Sequence, residues 1–144
     1  MPYAPINVVR RTLTGSTRGT GIKISSTSTG LEIHTHDATL NQSLFDELHL
    51  WAYNSDSSAR TVTLQWGGTT SPDNLIVISI AAGSFLKIVD GLHISGSLDV
   101  KAIASAANVV MLYGYALSHV QEHPLEGSAY VDDDVVRYDG YKQR

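Results

Sequence analysis

The chain has 144 residues, which is the length of one domain that can bury a sizeable core. Hydrophobic residues make up 42% and charged residues 17%, a balance opposite to that of disordered chains. The net charge of −4 is modest, so neither nucleic acid nor a membrane surface is expected as a partner. Cysteine is absent, which excludes disulfides and thiolate metal sites and fits folding in a reducing cytosol.

Turn residues divide the chain at short intervals, and the runs between them are rich in Val, Ile, Thr and aromatic residues. Short strands at such spacing are typical of a sandwich or a barrel. The sequence therefore predicts an all-β fold, a single antiparallel β-sandwich of the jelly-roll-like kind with extended N- and C-terminal arms. No secretory signal is recognised at the start, and the longest apolar run, around residues 75–82, is too short to cross a bilayer.

Residues 1–30 are predicted to form an N-terminal arm with the first strands. From residue 10 onward this stretch is rich in Thr, Ser and Gly and is basic, with no acidic residue before Glu32. Such a stretch makes few core contacts by itself. Residues 15–21 superficially resemble a phosphate-binding loop, but the Gly-Lys-Ser/Thr ending of that motif is absent, so no nucleotide site is expected.

His34 and His36 are the best metal-ligand candidates. Alternate residues of a strand point to the same side, so both imidazoles can reach one ion. A zinc site needs a third and usually a fourth ligand, and the spacing of the other histidines places none. The pair is a weak metal candidate; surface or capping histidines at a strand end are favoured, and no metal or other cofactor is expected.

The middle of the chain, residues 31–117, is predicted to be the sandwich core. Two of its strands alternate with the two-residue period of a half-buried sheet. Residues 74–80 are more continuously apolar, so this strand is expected to be covered on both faces. In residues 46–53 the alternation places Leu48, Leu50 and Ala52 on one face, opposite Glu47, His49, Trp51 and Tyr53. In residues 60–66 it places Val62, Leu64 and Trp66 on one face, which is expected to point inward.

Three aromatic residues, Trp51, Tyr53 and Trp66, are candidates for a platform on which a sugar ring stacks. Trp51 and Trp66 are expected to lie on neighbouring strands. Aromatic side chains contribute strongly both to cores and to subunit contacts. A place in the core or at a subunit contact is therefore favoured over sugar binding.

Catalytic patterns are weak throughout the sequence. The Gly-x-Ser-x-Gly motif does not occur, and nothing in the sequence orients a base toward Ser95. The three aspartates at residues 132–134 lack the alternating ligands of a calcium loop, so a solvated charge run is favoured. We therefore predict that the chain is not an enzyme and has no catalytic residues.

Residues 118–144 are predicted to form an acidic C-terminal arm. Pro124 and Gly127 interrupt any helix there. A purely solvating tail would have few apolar residues, whereas this one keeps several Val and Tyr. The arm is therefore expected to dock onto a neighbouring subunit or another protein. Its predicted contact residues are Tyr130, Val131, Val135, Val136, Tyr138 and Tyr141.

Five segments of the chain form a distinctive order of strands and turns: residues 31–35, 46–54, 60–73, 89–92 and 108–115. The Trp-Gly-Gly turn at residues 66–68 and the Tyr-Gly-Tyr segment at residues 113–115 are its most distinctive parts. This order across residues 31–117 resembles a family of small β-sandwich proteins in tailed bacteriophage particles, the head decoration or cement proteins. The family implies a capsid-stabilising role and no catalytic residues.

The main hypothesis is a virion structural protein, made in the host cytoplasm, that binds and reinforces a phage capsid. Its expected partner is the major capsid protein or another virion protein, and a homo-oligomer is expected, with a trimer favoured. The alternative is a carbohydrate-binding or receptor-binding module of a phage tail or fibre, which an exposed Trp51 and Tyr53 near an acidic groove would favour. A third hypothesis is an enzyme with a metal centre at His34 and His36.

Overall fold

A computed structural model describes residues 6–39 and 43–121 of the chain. Within these ranges the chain forms strands and no helices, so it has no helix that could span a membrane. The strands are β1 (Ile6–Thr12), β2 (Ile22–Lys23), β3 (Leu31–Thr35), β4 (Ser43–Asn54), β5 (Arg60–Trp66), β6 (Leu75–Ile80), β7 (Phe85–Ile94), β8 (Asp99–Ala104) and β9 (Val110–Gln121).

The strands form two antiparallel sheets. The larger sheet has the order β1-β9-β4-β7, with β2 also paired to β9, and the smaller sheet has the order β3-β8-β5-β6. Among the described strands, only β5 and β6 are both consecutive and paired, so most connections cross from one sheet to the other. This order is that of a two-sheet jelly roll. The predicted all-β sandwich is confirmed.

The core lies between the inner faces of the two sheets. In β4, Leu48, Leu50 and Ala52, which the alternation places on one face, are all fully buried. In β5, Val62 and Leu64 are likewise fully buried. Each such side chain contributes about 1.5–3 kcal/mol through the area that it removes from water.

The prediction for Trp66 holds only in part, because this residue is half-buried against the core. Its indole Nε1–H donates to the carbonyl of His93 at 3.2 Å. Trp66 is the last residue of β5. The expectation that Trp51 and Trp66 lie on neighbouring strands is wrong, since β4 and β5 belong to different sheets.

The expectation for the apolar run at residues 74–80 is also wrong. β6 is the edge strand of the smaller sheet, and Val77 is 64% exposed. Ile80 is buried, while Ile76 and Ile78 are half-buried at the rim of the core. A continuous apolar run indicates a strand, but it does not show whether a second sheet covers the outer face.

The sandwich includes residues on both sides of the predicted range 31–117. β1 and β2 both pair with β9, and the side chains of Leu13 and Ile24 lie in the core. β9 itself continues to Gln121. β1 and β2 thus join the larger sheet by pairing with the long strand β9.

β4 and β9 approach each other closely at Gly114, which lies opposite Leu50. A Cβ atom at this position would be 2.1 Å from the carbonyl oxygen of His49. Only glycine fits such a contact without a shift of the backbone. The Tyr-Gly-Tyr segment therefore places two tyrosines on β9 where β4 and β9 are closest.

Candidate functional site

The outer face of the larger sheet carries an unusual number of ring-bearing side chains. Residues of β4 and β9 alternate, so that one set fills the core and the other set is half-buried on the outside. An outer sheet face exposed to water is normally polar. We call this surface the aromatic face; its residues are Phe45, Glu47, His49, Trp51, Tyr53, Met111, Tyr113, Tyr115, Leu117 and His119, flanked by Val8 and Arg10 of β1 and by Phe85, Lys87 and His93 of β7.

Ring contacts at one end of the aromatic face centre on Phe45. Its ring lies 4.2 Å from that of His119 in a stacked geometry. The ring of His93 lies 4.5 Å away on a tilted plane. Three strands, β4, β9 and β7, each contribute one of these rings, so the cluster connects the middle of the sheet to one edge.

A second group of rings centres on Tyr115. His49 stacks on it at 5.1 Å, and Trp51 lies 6.0 Å away on a tilted plane. Farther along, the rings of Phe85 and Tyr113 meet edge to face at 5.9 Å. Such pairs fix ring positions beyond what simple burial does.

Glu47 connects the two groups of rings. Its Oε2 accepts a hydrogen bond from His49 Nε2 at 2.8 Å, and its Oε1 accepts one from His119 Nε2 at 3.1 Å. The hydrogen bond from His49, followed by that from His119, lowers the pKa of Glu47 below its usual value. The carboxylate is therefore charged near neutral pH and holds both imidazole rings in place.

Two cations lie over rings of the aromatic face. The Arg10 guanidinium is 4.2 Å from the centre of the Tyr115 ring, and Lys87 Nζ is 4.9 Å from the centre of the Trp51 ring. Cation–π contacts of this kind are worth about 0.5–1 kcal/mol at exposed sites. Aromatic residues and Arg are the types enriched at protein interfaces, and here they occur together on one face.

A second polar feature lies at the inner side of the same sheet. Asp46 is buried and accepts hydrogen bonds through both carboxylate oxygens. Oδ2 lies 2.6 Å from His34 Nε2, and Oδ1 accepts from Ser118 Oγ at 2.6 Å and from Ser43 Oγ at 3.1 Å. Arg11 Nε in turn donates to Ser118 Oγ at 2.8 Å. The carboxylate thus joins β3, β4 and β9.

Burial raises the pKa of Asp46, but the hydrogen bonds from His34, Ser118 and Ser43 outweigh burial and bring the net pKa below the usual value. Asp46 is therefore an anion near neutral pH. A cleft of about 370 Å³ opens beside it and is lined by side chains that include Arg11, Thr35 and Asp37.

Backbone hydrogen bonds determine which nitrogen of each buried histidine carries the proton. His34 Nδ1 accepts from the Thr14 N–H, so Nε2 carries the proton that is donated to Asp46. His36 Nδ1 accepts from the Ser97 N–H, so its Nε2 donates to Ser43 at 3.2 Å. Neither imidazole can take a proton from a serine hydroxyl in this arrangement. The geometry is therefore not that of a nucleophilic triad.

His34 and His36 each accept a hydrogen bond from a backbone N–H, of Thr14 and of Ser97, which agrees with the expected capping role. The expected surface position is wrong, since their exposures are 2% and 1%. The reason is a bulge in β3 between Glu32 and His34, which turns both Ile33 and His34 inward. The two imidazoles bind different partners. Within residues 6–39 and 43–121, no group of three or more His, Asp and Glu side chains is arranged to hold a metal ion.

The other predicted site residues divide into two groups. Trp51 and Tyr53 are half-buried on the aromatic face, next to Tyr113 and Met111 of β9. The arm residues lie outside the described residues, as do the three aspartates at 132–134. The predicted arm residues are Tyr130, Val131, Val135, Val136, Tyr138 and Tyr141.

The sequence analysis does not predict Asp46 and Ser118 as site residues, although the alternation of β4 and β9 places both at inward positions. Asp46 stands two residues before the buried Leu48, and Ser118 stands two residues after the buried Ala116. Both positions therefore point to the core. A polar residue at an inward position needs a hydrogen-bond partner, so each predicts the presence of a buried cluster.

Comparison with known proteins does not assign the chain to a family. No protein-family model and no curated protein matches the chain. A chain from the disulfide-linked pili of Bacillus endospore appendages is 13% identical, with a TM-score of 0.48, and the match covers 84% of this chain and 93% of that chain. A likeness at this level carries no information about function.

Proposed function

We propose that this chain is a structural protein of a bacteriophage particle, which binds the capsid and reinforces it as a decoration or cement protein. The observation that carries the proposal is the aromatic face. The resemblance of residues 31–117 to phage decoration proteins supports the choice of a phage particle. In this proposal the partner is the major capsid protein or another virion protein, and the protein resides in the virion after synthesis in the host cytoplasm.

The aromatic face suits contact with another protein for two physical reasons. Its rings are already held by stacking and by the hydrogen bonds of Glu47, so little side-chain entropy remains to be lost on binding. Its His, Tyr and Trp rings bury apolar area and still offer hydrogen bonds. Such residues form the centres of interfaces.

Binding to a capsid with many identical sites raises the overall affinity even where each single contact of the aromatic face is modest. Each particle offers many copies of one site, so a homo-oligomer can engage several sites at once. We favour a trimer, as the resemblance implies. In the proposal the C-terminal arm gives a second contact through Tyr130, Val131, Val135, Val136, Tyr138 and Tyr141.

A second candidate function is glycan or receptor binding by a tail or fibre module. Trp51 and Tyr53 favour it, because they lie on the same open face as the Glu47 carboxylate. Against it, Lys87 Nζ lies over the Trp51 ring, where a sugar would stack. Binding to isolated surface polysaccharide and failure to bind capsids would favour this candidate.

We also propose that the chain has no catalytic activity. His34 and His36 use both ring nitrogens in hydrogen bonds to protein groups, which leaves neither imidazole a free lone pair for a metal. Metal analysis of chelator-washed protein is expected to find no stoichiometric transition metal. Stoichiometric zinc would revive the metal-enzyme hypothesis.

The experiment that tests the capsid proposal is a cryo-EM map of the phage particle that contains this protein. We expect the sandwich on the outside of the head, with the aromatic face against the capsid protein. A map that places the sandwich in a tail fibre, or that leaves the aromatic face exposed to solvent on the head, would contradict the proposal.

A further inference from the structure

β6 presents an open strand edge. It is the last strand of the smaller sheet, and among the described strands it pairs with β5 alone. Val77, at its middle, is the most exposed large apolar side chain of the described residues, at 64%. An open edge displays backbone N–H and C=O groups that a further strand can bind.

The other three sheet edges carry features that obstruct strand addition. β1 carries Arg10 and Arg11. β3 is bulged beside Glu32, and the register of β7 against β4 shifts at two places. β6 has none of these features, because residues 74–86 contain no Asp, Glu, Lys or Arg and the pairing of β6 with β5 is regular.

The hydrogen bonds of the β5–β6 ladder identify the groups on the open edge. The Trp66 N–H donates to the carbonyl of Asn74 at 2.7 Å, which makes these residues a hydrogen-bonded pair. Hydrogen-bonded pairs alternate along an antiparallel ladder, so every second residue from Asn74 to Ile80 bonds to β5. The residues whose N–H and C=O groups then point to the open edge are Leu75, Val77 and Ser79.

We propose that β6 pairs antiparallel with β6 of a second copy of this chain, about a two-fold axis at Val77. Val77 then faces its own copy, and Leu75 faces Ser79 of the other copy. In this register each outward N–H meets an outward C=O, so none of these groups is left unpaired. The two Val77 side chains become neighbours on the outer face and remove each other from water.

A second copy is the occupant that the edge fits best, because the pairing is self-complementary and no charge opposes itself across the axis. The two smaller sheets would then form one continuous sheet. The aromatic face belongs to the other sheet and remains free. The β6 contact is therefore additional to the proposed capsid contact, and it joins two units whatever their own oligomeric state.

The test is the solution mass of the full chain, measured by sedimentation equilibrium. Val77→Lys places two positive charges side by side at the axis. Val77→Pro removes an N–H that points to the open edge and leaves the bonds to β5 intact. We expect each variant to have half the mass of the wild-type assembly, with a wild-type circular dichroism spectrum.

The matched control is Leu98→Lys, which changes another exposed apolar side chain, at 49%, outside the strands. It is expected to keep the wild-type mass. Equal masses for wild type and Val77→Lys would overturn the proposal, and if Val77→Pro does not fold, the Lys variant decides alone. The measurement uses no capsid, so a failure here is separate from a failure of the proposed function.

Discussion

The two sheets have similar inner faces and different outer faces. Leu48 and Leu50 of the larger sheet and Val62 and Leu64 of the smaller sheet are all fully buried. On the outside, the two central strands of the smaller sheet carry mostly polar side chains, whereas the larger sheet carries stacked rings. The outer residues of the two central strands of the smaller sheet are Thr61, Thr63, Gln65, Asp99, Lys101 and Ile103.

The difference separates what the fold requires from what it does not. A sandwich needs only one apolar face on each sheet, and the central strands of the smaller sheet meet that need with a mostly polar exterior. The aromatic face therefore exceeds the requirement of folding. Its composition is that of an interface centre, which is why the capsid proposal depends on it.

The largest expected effect comes from the inner faces, where the two sheets should behave alike. Leu50→Ala and Leu64→Ala should each lower the free energy of unfolding by about 2–5 kcal/mol, as for other buried leucines. Urea denaturation measures the change, and Lys101→Ala, on the outer face of β8, should stay within about 0.5 kcal/mol of wild type. If only one of the two variants lowered the free energy of unfolding by this amount, the sheet of the other leucine would not share the core.

A smaller effect is expected at the buried polar cluster. Asp46→Asn should lower the free energy of unfolding by about 1.5–3 kcal/mol at pH 7, because hydrogen bonds to a charged group are lost. Asp99→Asn, on the outer face of the smaller sheet, is the control and should have less effect.

The same variant has a defined pH dependence. The pKa of folded Asp46 lies below the usual 3.8, so its stabilisation is present above that value and is lost as the pH falls through the folded pKa. The difference in stability between wild type and Asp46→Asn should therefore shrink below about pH 4. A difference that stays constant from pH 7 to pH 2 would contradict the ionised state of Asp46.

Removal of residues 122–144 should have the smallest effect on stability. The cut falls after Gln121 and leaves β9 whole, whereas a cut at the sequence-based boundary would remove Ser118 and Val120 from the core side of β9. We expect an unchanged melting temperature and weaker binding to capsids. Unfolding of the shortened chain would show that the removed residues supply part of the core, and wild-type binding would remove the arm from the mechanism.

Residue alternation predicts which side chains share a face of a strand, as Leu48 and Leu50 of β4 and Val62 and Leu64 of β5 demonstrate. It predicts this well because the period of a strand is local. Sheet order is not local. The expectations that Trp51 lies next to Trp66 and that β6 is covered on both faces are therefore wrong. Pairing partners are distant in the chain and leave no short-range signal.

The site was predicted less well than the fold. The bulge in β3 shifts the alternation by one residue, so His34 is buried where the simple pattern places it at the surface. The aromatic face needs β4 and β9 side by side, and these strands are far apart in the chain. For Trp51 and Tyr53 the sequence leaves two alternatives, a sugar-stacking platform or a place in the core or at a subunit contact.

The central claim is that the aromatic face, and not the outer face of the smaller sheet, binds the capsid. The most direct measurement is the affinity of Trp51→Ala and Thr63→Ala for purified capsids that lack this protein. We expect at least a tenfold loss for Trp51→Ala, since a central aromatic contributes about 2 kcal/mol or more, and wild-type affinity for Thr63→Ala. Equal affinities for the two folded variants would contradict the claim.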